Sequence, residues 1–283
     1  MRLSTIMLAA LAVMTAGVAN AELVYGVTQQ NRLVSFNSNA PGSILTGISI
    51  QGLQVNEDIL GMDIRPATGQ LYAIGSSNRL YTINALTGQA TQVGGVFANP
   101  LNGSSFGFDF NPTIDRIRVV SNANNNYVLN PDTGAQTIAT PLFYQAGDPN
   151  FGADPNVVHS AYTNAFPGAT TSQLYGLDTG LDILVTQANS AGTLGTVGPV
   201  GADLTELGGF DISGASGTAY AIVRDNAQIR SMLWTINLQT GAGSFVGQIG
   251  GGEIITAMTV VPAPSSALAL AAAGLIAARR RRA

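Results

Sequence analysis

The sequence predicts an all-β protein, a β-propeller of five blades with four strands in each blade. Short runs of alternating apolar and polar residues recur along the chain, as at Leu71–Ile74 and Leu80–Ile83. Glycine, asparagine, aspartate and proline separate these runs, which is the usual signal for strands joined by turns. The pattern also returns in five copies, and such a repeat is typical of propeller blades.

The five copies share the same order of elements. Their leading strands are LVYGV, LYAI, IRVV, LYGL and AYAI, which begin at Leu23, Leu71, Ile117, Leu174 and Ala219. A second strand follows in each copy: RLVSFN, RLYTIN, NYVLN, DILVTQ and LWTIN. Thr-Gly turns at Thr87-Gly88, Thr133-Gly134 and Thr240-Gly241 introduce a third strand, as in QATQVG. A fourth strand with a Gly-x-Asp sequence, such as GMDIRP or GFDFNP, leads into the next copy.

The two ends of the repeat region complete one blade between them. If the Gly-x-Asp strand is the first of a blade, the region starts with a second strand, Leu23–Val27, and finishes with a first strand, Ile254–Val260. Pairing these ends closes the ring, which protects strand edges that would otherwise be open. The third copy is the longest, so six blades are the alternative if it hides an additional one.

The composition excludes several classes of function. The chain of 283 residues has 34 glycines, 10% charged residues and no cysteine, so disulfides and thiolate chemistry are excluded. All 12 basic residues are arginine, which excludes lysine Schiff-base chemistry. The segment between Glu22 and Pro262 contains seven arginines and all 16 acidic residues, so it carries a net negative charge. This charge argues against nucleic-acid binding.

Residues 1–21 have the pattern of a secretory signal peptide. Arg2 provides the positive start, Ile6–Val13 the apolar centre, and Ala19-Asn20-Ala21 the small-residue cleavage site. We therefore expect a signal peptidase to cut between Ala21 and Glu22, which leaves a repeat domain at residues 22–261. An uncleaved N-terminal membrane anchor is the alternative.

Residues 262–283 form a second processing signal. Pro262-Ala263-Pro264 precedes an apolar run at Ser266–Ala278, and four arginines follow it: Arg279, Arg280, Arg281 and Arg282. As a helix the run spans about 20 Å, less than the roughly 30 Å hydrocarbon core of a bilayer. The tail resembles the PEP-CTERM sorting signals of Gram-negative bacteria, with Ala263 in place of the usual glutamate.

The resemblance of the tail implies a location and a partner. It implies recognition by an exosortase-type enzyme, with cleavage near the Pro-x-Pro sequence and only transient membrane insertion. The positive-inside rule keeps the arginines in the cytoplasm and leaves the body outside the inner membrane. The expected location is the cell envelope or the extracellular space; an ordinary tail anchor is the alternative.

Three stretches of the body carry a further resemblance. They are Gly107–Gly134, Ala146–Asn164 and Thr170–Gln187. They resemble a bacterial family known as domain of unknown function 4394, and the resemblance covers most of Leu23–Val260. It implies a propeller-like fold; the family has no assigned activity, so the resemblance identifies no catalytic residues in this chain.

Two motifs are candidates for catalysis. Gly103-Ser104-Ser105-Phe106-Gly107 matches G-x-S-x-G, and His159 follows it in the chain order of an α/β-hydrolase triad. That chemistry requires a strand, a sharp turn and a helix around Ser105, whereas a strand and a turn follow here. His159 is the only histidine and lies in an alternating run, which favours a structural role and excludes a multi-histidine metal site.

Carboxylates suggest two other sites. Asp63, Asp109 and Asp211 recur at one blade position, either as a ring of acids around the channel or as acceptors for backbone N–H groups of the following turns. The long loop of the third copy, Ala146–Asn164, contains four oxygen-bearing side chains: Asp148, Asn150, Asp154 and Asn156. These side chains are possible Ca²⁺ ligands, although Asp-Pro and Asn also form turns. No other cofactor is expected.

The aromatic residues have two possible roles, and the sequence allows two classes of function. Tyr25, Tyr72, Tyr175 and Tyr220 share one blade position, which favours packing between blades over a carbohydrate platform. Without a catalytic set, the sequence favours a non-catalytic binding or matrix module, with exopolysaccharide as its candidate partner. The alternative is a propeller hydrolase or lactonase-like enzyme with an oxygen-ligated metal in the central channel.

Overall fold

The computed structural model describes residues 21–225 and 230–261. Apart from Ala21, the expected signal peptide and sorting tail lie outside these residues. Within them the chain forms strands and two three-residue 3-10 helices, Asn189–Ala191 and Gly250–Gly252. No helix in this part of the chain has the length and apolar character needed to cross a bilayer.

The described residues form five sheets, one for each blade. Blade 1 begins with β1 (Leu23–Thr28), β2 (Arg32–Asn37) and β3 (Ala40–Ser49). Blade 2 contains β4 (Ile59–Ile64), β5 (Leu71–Gly75), β6 (Arg79–Ile83) and β7 (Ala90–Val93). Blade 3 contains β8 (Phe106–Asn111), β9 (Arg116–Ser121), β10 (Asn126–Leu129) and β11 (Gln136–Ile138).

The remaining strands complete the ring. Blade 4 contains β12 (Phe143–Tyr144), β13 (Val157–Tyr162), β14 (Leu174–Asp178), β15 (Ile183–Gln187) and β16 (Thr193–Pro199). Blade 5 contains β17 (Gly208–Ile212), β18 (Ala219–Asp225), β19 (Arg230–Ile236) and β20 (Gly243–Gln248), and β21 (Ile255–Val260) follows. The prediction of a five-bladed, all-β propeller is confirmed.

The innermost strands form the centre of the molecule. They are β21, β4, β8, β13 and β17, and each contacts the next in chain order around the axis. Every Gly-x-Asp strand is therefore the last element of one sequence copy and the first strand of the following blade. The axis is built from this set of strands, so their side chains decide what lies in the channel.

Blade 1 is completed by both ends of the repeat region, as the sequence predicts. Strand β21 pairs antiparallel with β1, with Val24 opposite Val260 and Gly26 opposite Met258. The ladder continues beyond β21, where Val261 N–H donates to the carbonyl of Leu23 at 2.8 Å. Residues more than 200 positions apart thus close the ring in one sheet.

The additional length of the third copy builds a fifth strand and a loop. Strand β12 pairs in parallel with β16, with Phe143 opposite Thr193, at the outer edge of blade 4. The alternative of six blades is therefore wrong. Two residues of strand are too few for a blade, and pairing at an existing edge satisfies their backbone groups.

Left-handed residues in three of the β-hairpin turns fasten one blade to the next. Asn31, Asn78 and Asp182 have positive φ angles of 52°, 64° and 55°. Their side-chain oxygens accept backbone N–H groups of Ile59 (3.0 Å), Leu101 (2.6 Å) and Leu204 (2.8 Å), respectively. Short polar side chains tolerate this backbone conformation and bond locally. They hold the segments that enter the innermost strands of the next blade.

The hydrophobic core lies between neighbouring blades. One cluster joins Tyr72 of blade 2 to Phe108 and Phe110 of blade 3, and the rings of Tyr72 and Phe110 meet edge to face at 5.2 Å. Tyr220 packs in the cluster between blades 5 and 1. The prediction that these tyrosines pack between blades is confirmed; Tyr25 and Tyr175 are partly buried against similar clusters.

Removal of β21 is expected to unfold the ring cooperatively. Four apolar side chains of β21 are at most 4% exposed: Ile255, Ala257, Met258 and Val260. Burial of each large one is worth roughly 1.5–3 kcal/mol, and a domain has only about 5–15 kcal/mol in total. A chain ending at Gly252 should lose its thermal transition. A chain ending at Val261 is the control and should melt within about 2 °C of the full-length protein. Equal melting of the two truncations would contradict closure by β21.

Candidate functional site

Three aspartates meet at the axis. Asp63, Asp109 and Asp211 lie on β4, β8 and β17, and their carboxylate oxygens lie within 4.8 Å of one another. The three side chains are only 6%, 2% and 4% exposed. Of the two possibilities for this position, the structure therefore brings the aspartates together. We call them the axial carboxylates.

Each axial carboxylate bonds to the innermost strand of the next blade. The bonds run from Phe110 N–H to Asp63 Oδ2 (2.9 Å), from Tyr162 N–H to Asp109 Oδ1 (2.9 Å), and from Val260 N–H to Asp211 Oδ2 (2.6 Å). The expected acceptor role is thus present, but its donors lie in neighbouring strands rather than in the following turns. The carboxylates cross-link the blades at the centre of the ring.

Two blades lack an aspartate at this level. Ala161 and Thr259 precede Tyr162 and Val260, and thus occupy the aspartate position in blades 4 and 1. The side chain of Ala161 cannot accept a hydrogen bond from the innermost strand of blade 5. The N–H of Ile212 in that strand instead donates to the side chain of the preceding residue, Asp211 Oδ1 (2.6 Å). Beside Thr259, the N–H of Ile64 similarly bonds Asp63 Oδ1 (2.6 Å).

The geometry at the axis favours a shared proton. The hydroxyl of Thr259 lies 2.8 Å from Asp63 Oδ1 and 3.0 Å from Asp211 Oδ2. A hydroxyl has one proton to donate, and a proton on one of the two carboxyl groups allows both contacts to be hydrogen bonds. Burial and repulsion between the carboxylates raise the pKa of Asp63 and Asp109 well above the usual range, and burial raises the pKa of Asp211 to about 6.

A bound cation would also relieve the repulsion between these groups. Oxygen ligands suit Ca²⁺, but Ca²⁺ takes six to eight of them. Both oxygens of Asp63 and of Asp211, and one oxygen of Asp109, already accept a backbone N–H, so few of the oxygens at the axis are free to bind an ion. The donor set therefore fits shared protons better than a calcium ion.

Close packing of the innermost strands seals the axis above these carboxylates. A Cβ atom on Gly107 would lie 2.8 Å from Ser160 Oγ and 2.9 Å from Ser160 N, and one on Gly61 would lie 2.6 Å from Phe108 Cβ. These strands can approach so closely only because glycine lacks a side chain. The remaining space, about 20 Å³, holds about one water molecule. The axial carboxylates are therefore out of reach of a substrate.

An open cavity lies at one end of the axis. It has a volume of about 240 Å³ and is located where the innermost strands begin; we call it the mouth cavity. Its apolar lining residues are Ile59, Leu60, Phe106 and Leu207. Its polar lining consists of Thr28, Gln29, Asn31, Asp58, Ser104, Ser105, Glu206 and Thr256.

Glu206 is the most firmly held polar side chain of the mouth cavity. Ser105 Oγ donates to Glu206 Oε2 at 2.7 Å, and Asn156 Nδ2 donates to Oε1 at 3.1 Å. Asn122 Nδ2 adds longer bonds to both oxygens at 3.3 and 3.4 Å. Burial opposes ionisation of Glu206, but these donors outweigh it and hold the pKa of the carboxyl below its ordinary value. The side chain is therefore a fixed anion.

Ser105 and His159 do not form a catalytic pair. The hydroxyl of Ser105 donates to Glu206, whereas His159 Nε2 bonds the carbonyl of Thr205 at 3.0 Å. His159 is only 4% exposed, and its burial lowers the pKa of the imidazole. Ser105 also leads directly into strand β8, so the helix that a nucleophile elbow requires does not follow.

The four candidate calcium ligands of the long loop form hydrogen bonds at three separate places. Asp148 accepts from Thr196 N (2.6 Å) and Oγ1 (2.7 Å), and Asn150 donates to the same Oγ1 (2.9 Å). Asp154 instead accepts from Asn124 at 2.6 Å. Asn156 alone reaches the mouth cavity, through Glu206. The four side chains therefore do not converge on one point where they could coordinate a calcium ion together.

Sequence reasoning did not single out Glu206 or Asp58. Both stand within two residues of an innermost strand, as Ser105 does directly before β8. Because these strands begin around one opening, the residues before each Gly-x-Asp strand all face the same cavity. That position in the repeat is the signal that would have identified them.

A comparison with protein families identifies this domain. A family model described as "Domain of unknown function (DUF4394)" matches residues 32–259. The chain belongs to the DUF4394 family. No curated protein matches it. The propeller described above is therefore the fold of a DUF4394 domain.

Three solved structures show a distant likeness to this chain at low sequence identity. A chain of a nidogen/laminin complex is 10% identical, with 85% of this chain and 98% of that chain covered and a TM-score of 0.49. Hydrazine synthase from Kuenenia stuttgartiensis is 14% identical, with 70% and 53% covered and a TM-score of 0.42. A structural genomics protein of unknown function from Bacteroides thetaiotaomicron VPI-5482 is 13% identical, with 87% and 68% covered and a TM-score of 0.48. These likenesses carry no functional argument.

The axial carboxylates predict that stability falls as the pH rises. The folded protein keeps protons that the unfolded chain releases near the ordinary aspartate pKa of 3.8. The contribution of the axial carboxylates to the free energy of unfolding should therefore decrease from about pH 4 and level off only above their folded pKa values, which for Asp211 is about 6. Urea unfolding in EDTA across this range measures the effect.

Two substitutions separate the pH dependence caused by the axial carboxylates from that caused by other titratable groups. Asp211→Asn should flatten the pH dependence, whereas Asp203→Asn, at an exposed aspartate, should leave it unchanged. His159, whose pKa burial lowers, adds a contribution that rises with pH below about 6.5 in the wild type and in both variants, so the decisive quantity is the difference between proteins. A difference in stability between the wild type and Asp211→Asn that does not change over this pH range would contradict a protonated axis. A melting temperature that Ca²⁺ raises in the wild type but not in Asp211→Asn would instead indicate a cation there.

Proposed function

We propose that the mature protein is an exported, non-catalytic binding module for a saccharide, of the kind found in exopolysaccharide. The observation that carries this proposal is the mouth cavity. Its volume of about 240 Å³ is below the roughly 300–1,000 Å³ of sites for drug-sized ligands, so it suits about one sugar ring. The cavity opens at the end of the ring, so a longer chain can continue into solvent.

The lining of the mouth cavity matches the chemistry of a sugar. A sugar ring presents C–H groups on its faces and hydroxyl groups at its edge. Leu60, Phe106 and Leu207 offer apolar surface to the faces. The carboxylates of Asp58 and Glu206 accept hydroxyl protons, and bonds to charged acceptors are the stronger kind. Glu206 is held in place before the ligand arrives, which reduces the entropy lost on binding.

The alternative function is a hydrolase or lactonase-like enzyme with a metal in the channel. The axial carboxylates would supply its oxygen donors, but they are at most 6% exposed and lie behind the close contacts of Gly61 and Gly107. The mouth cavity is accessible to a substrate, but Ser105 there bonds Glu206 rather than a histidine. The geometry supports binding more than turnover.

Export and sorting belong to the same proposal. We propose that residues 1–21 direct export and are removed by a signal peptidase, and that residues 262–283 are removed by an exosortase-type enzyme. Leu23 and Val261 are hydrogen-bonded in blade 1, so both segments join the body at neighbouring positions. The mature body then remains in the envelope or is released.

The mass of the envelope-derived protein should reveal both cuts. Removal of both segments predicts a chain from Glu22 to about Pro264. Intact-mass measurement and terminal peptide mapping decide the question. A mature chain that still carries Arg279–Arg282 would show a plain membrane anchor, and one that still carries Arg2 would show an uncleaved N-terminal anchor.

Filling the mouth cavity should abolish saccharide binding. Titration calorimetry against neutral oligosaccharides should give dissociation constants on the order of 0.1–1 mM for the wild type, a free energy of about −4 to −5.5 kcal/mol. Ser104→Trp places a bulky ring in the cavity and should remove binding. Leu86→Trp adds the same side chain at an 88% exposed turn between β6 and β7 and should leave affinity unchanged. Binding that survives Ser104→Trp would place the site elsewhere.

A further inference from the structure

We infer that the mouth cavity prefers a saccharide with a positively charged amine, such as a glucosamine unit, to a neutral or an acidic sugar. This inference rests on the proposed function and specifies its ligand. It follows from the charges around the cavity, which are of one sign, and from the way in which one of them is held.

Two carboxylates face the cavity from different parts of the ring. Asp58 precedes β4 of blade 2, and Glu206 precedes β17 of blade 5; these blades are not neighbours. A ligand between them would meet an anion on two sides. Asp58 is exposed and accessible, whereas Glu206 is partly buried at the wall. One protonated amine can approach either carboxylate without a change of backbone.

The negative charge of Glu206 has no positive partner in the lining. Its hydrogen-bond donors are the neutral groups of Ser105, Asn122 and Asn156. None of the described residues that line the cavity is an arginine or a histidine, and the chain contains no lysine. A buried histidine, His159, lies deeper and bonds the carbonyl of Thr205, and burial favours its neutral form.

Three arginines lie near β-hairpin turns at this end of the ring. Arg224 follows Val223 of β18, and its backbone N–H donates to Thr205 Oγ1 at 3.1 Å, but it does not line the cavity. The other two are engaged in other contacts. Arg32 forms an ion pair with Glu253, and Arg79 donates to the carbonyl oxygen (2.9 Å) and the hydroxyl (2.8 Å) of Ser77. Neither lines the cavity. A cationic ligand would therefore supply the compensating charge that the protein does not place there.

The same arrangement disfavours an acidic sugar. Amide and hydroxyl donors of Asn122, Asn156 and Ser105 point at Glu206 and are not free for a second carboxylate. A uronate in the cavity would meet two like charges and find no cation to offset them. Like-charge contact of this kind is a common source of specificity. The expected order of affinity is amino sugar, then neutral sugar, then acidic sugar.

Three matched trisaccharides test this order: those of glucosamine, N-acetylglucosamine and galacturonic acid. Titration calorimetry at about pH 5.5 keeps the amine protonated and the carboxylates ionised. At low ionic strength the glucosamine trimer should bind about five- to tenfold more tightly than the N-acetylated one, as expected for charges a few ångströms apart in a partly solvated site. The difference should shrink at roughly 0.5 M salt because screening weakens it.

Charge-removing variants locate the effect. Asp58→Asn and Glu206→Gln should each reduce the preference for the amine while binding of the N-acetylated trimer persists. Asp58 is exposed and its side chain is not part of the bonding around Glu206, so Asp58→Asn remains informative if Glu206→Gln folds poorly. Asp132→Asn removes the same charge from an exposed turn after β10, where Asp132 pairs with Arg65 away from the cavity, and should leave the preference for the amine unchanged.

The outcomes separate the inference from the proposed function. Equal affinity for the first two sugars, tighter binding of the galacturonate trimer, or a preference unaffected by both variants overturns the inference alone. The proposed function survives in those cases if Ser104→Trp still removes binding. Failure of all three trimers to bind the wild type overturns both.

Discussion

Contact between the five innermost strands at the axis is the constraint on which the rest of the propeller depends. Each of these strands must pack against two others while its own blade extends outward. Glycine permits the approach at Gly61 and Gly107, and the following aspartates then meet within hydrogen-bonding range of the neighbouring strands. The ring closes in one blade through β1 and β21, which makes all these contacts interdependent.

Burial of the axial carboxylates is tolerable because each one performs a structural task. An isolated buried carboxylate is costly, but one that accepts backbone N–H groups and shares a proton loses much of that cost. Asp109 and Asp211 accept N–H groups that β13 and β21 would otherwise leave unpaired at the axis. The aspartates thus exchange an electrostatic cost for specific pairing of neighbouring blades, and this explains their recurrence.

Closure of the axis moves the accessible chemistry to the mouth. A sealed channel leaves only the segments that enter the innermost strands free to vary without loss of packing. Asp58, Ser105 and Glu206 lie in such segments. Asn156 extends the same surface from the long loop of the third copy, where the regular repeat is interrupted. Adjacent parts of each repeat therefore have different roles. The innermost strands must pack closely, whereas the segments before them form the binding surface.

The sequence by itself determined the repeated strands and the sharing of blade 1 and favoured five blades over six, because period-2 alternation and turn residues act locally and recur. It also determined that tyrosines such as Tyr72 pack between blades. Only the tertiary structure decided that three aspartates meet at the axis rather than serve turns. It alone brought Ser105 to Glu206, which lie 101 residues apart, and placed β12 at the edge of blade 4. Such contacts depend on how the blades are arranged around the ring, and no local pattern of residues records that arrangement.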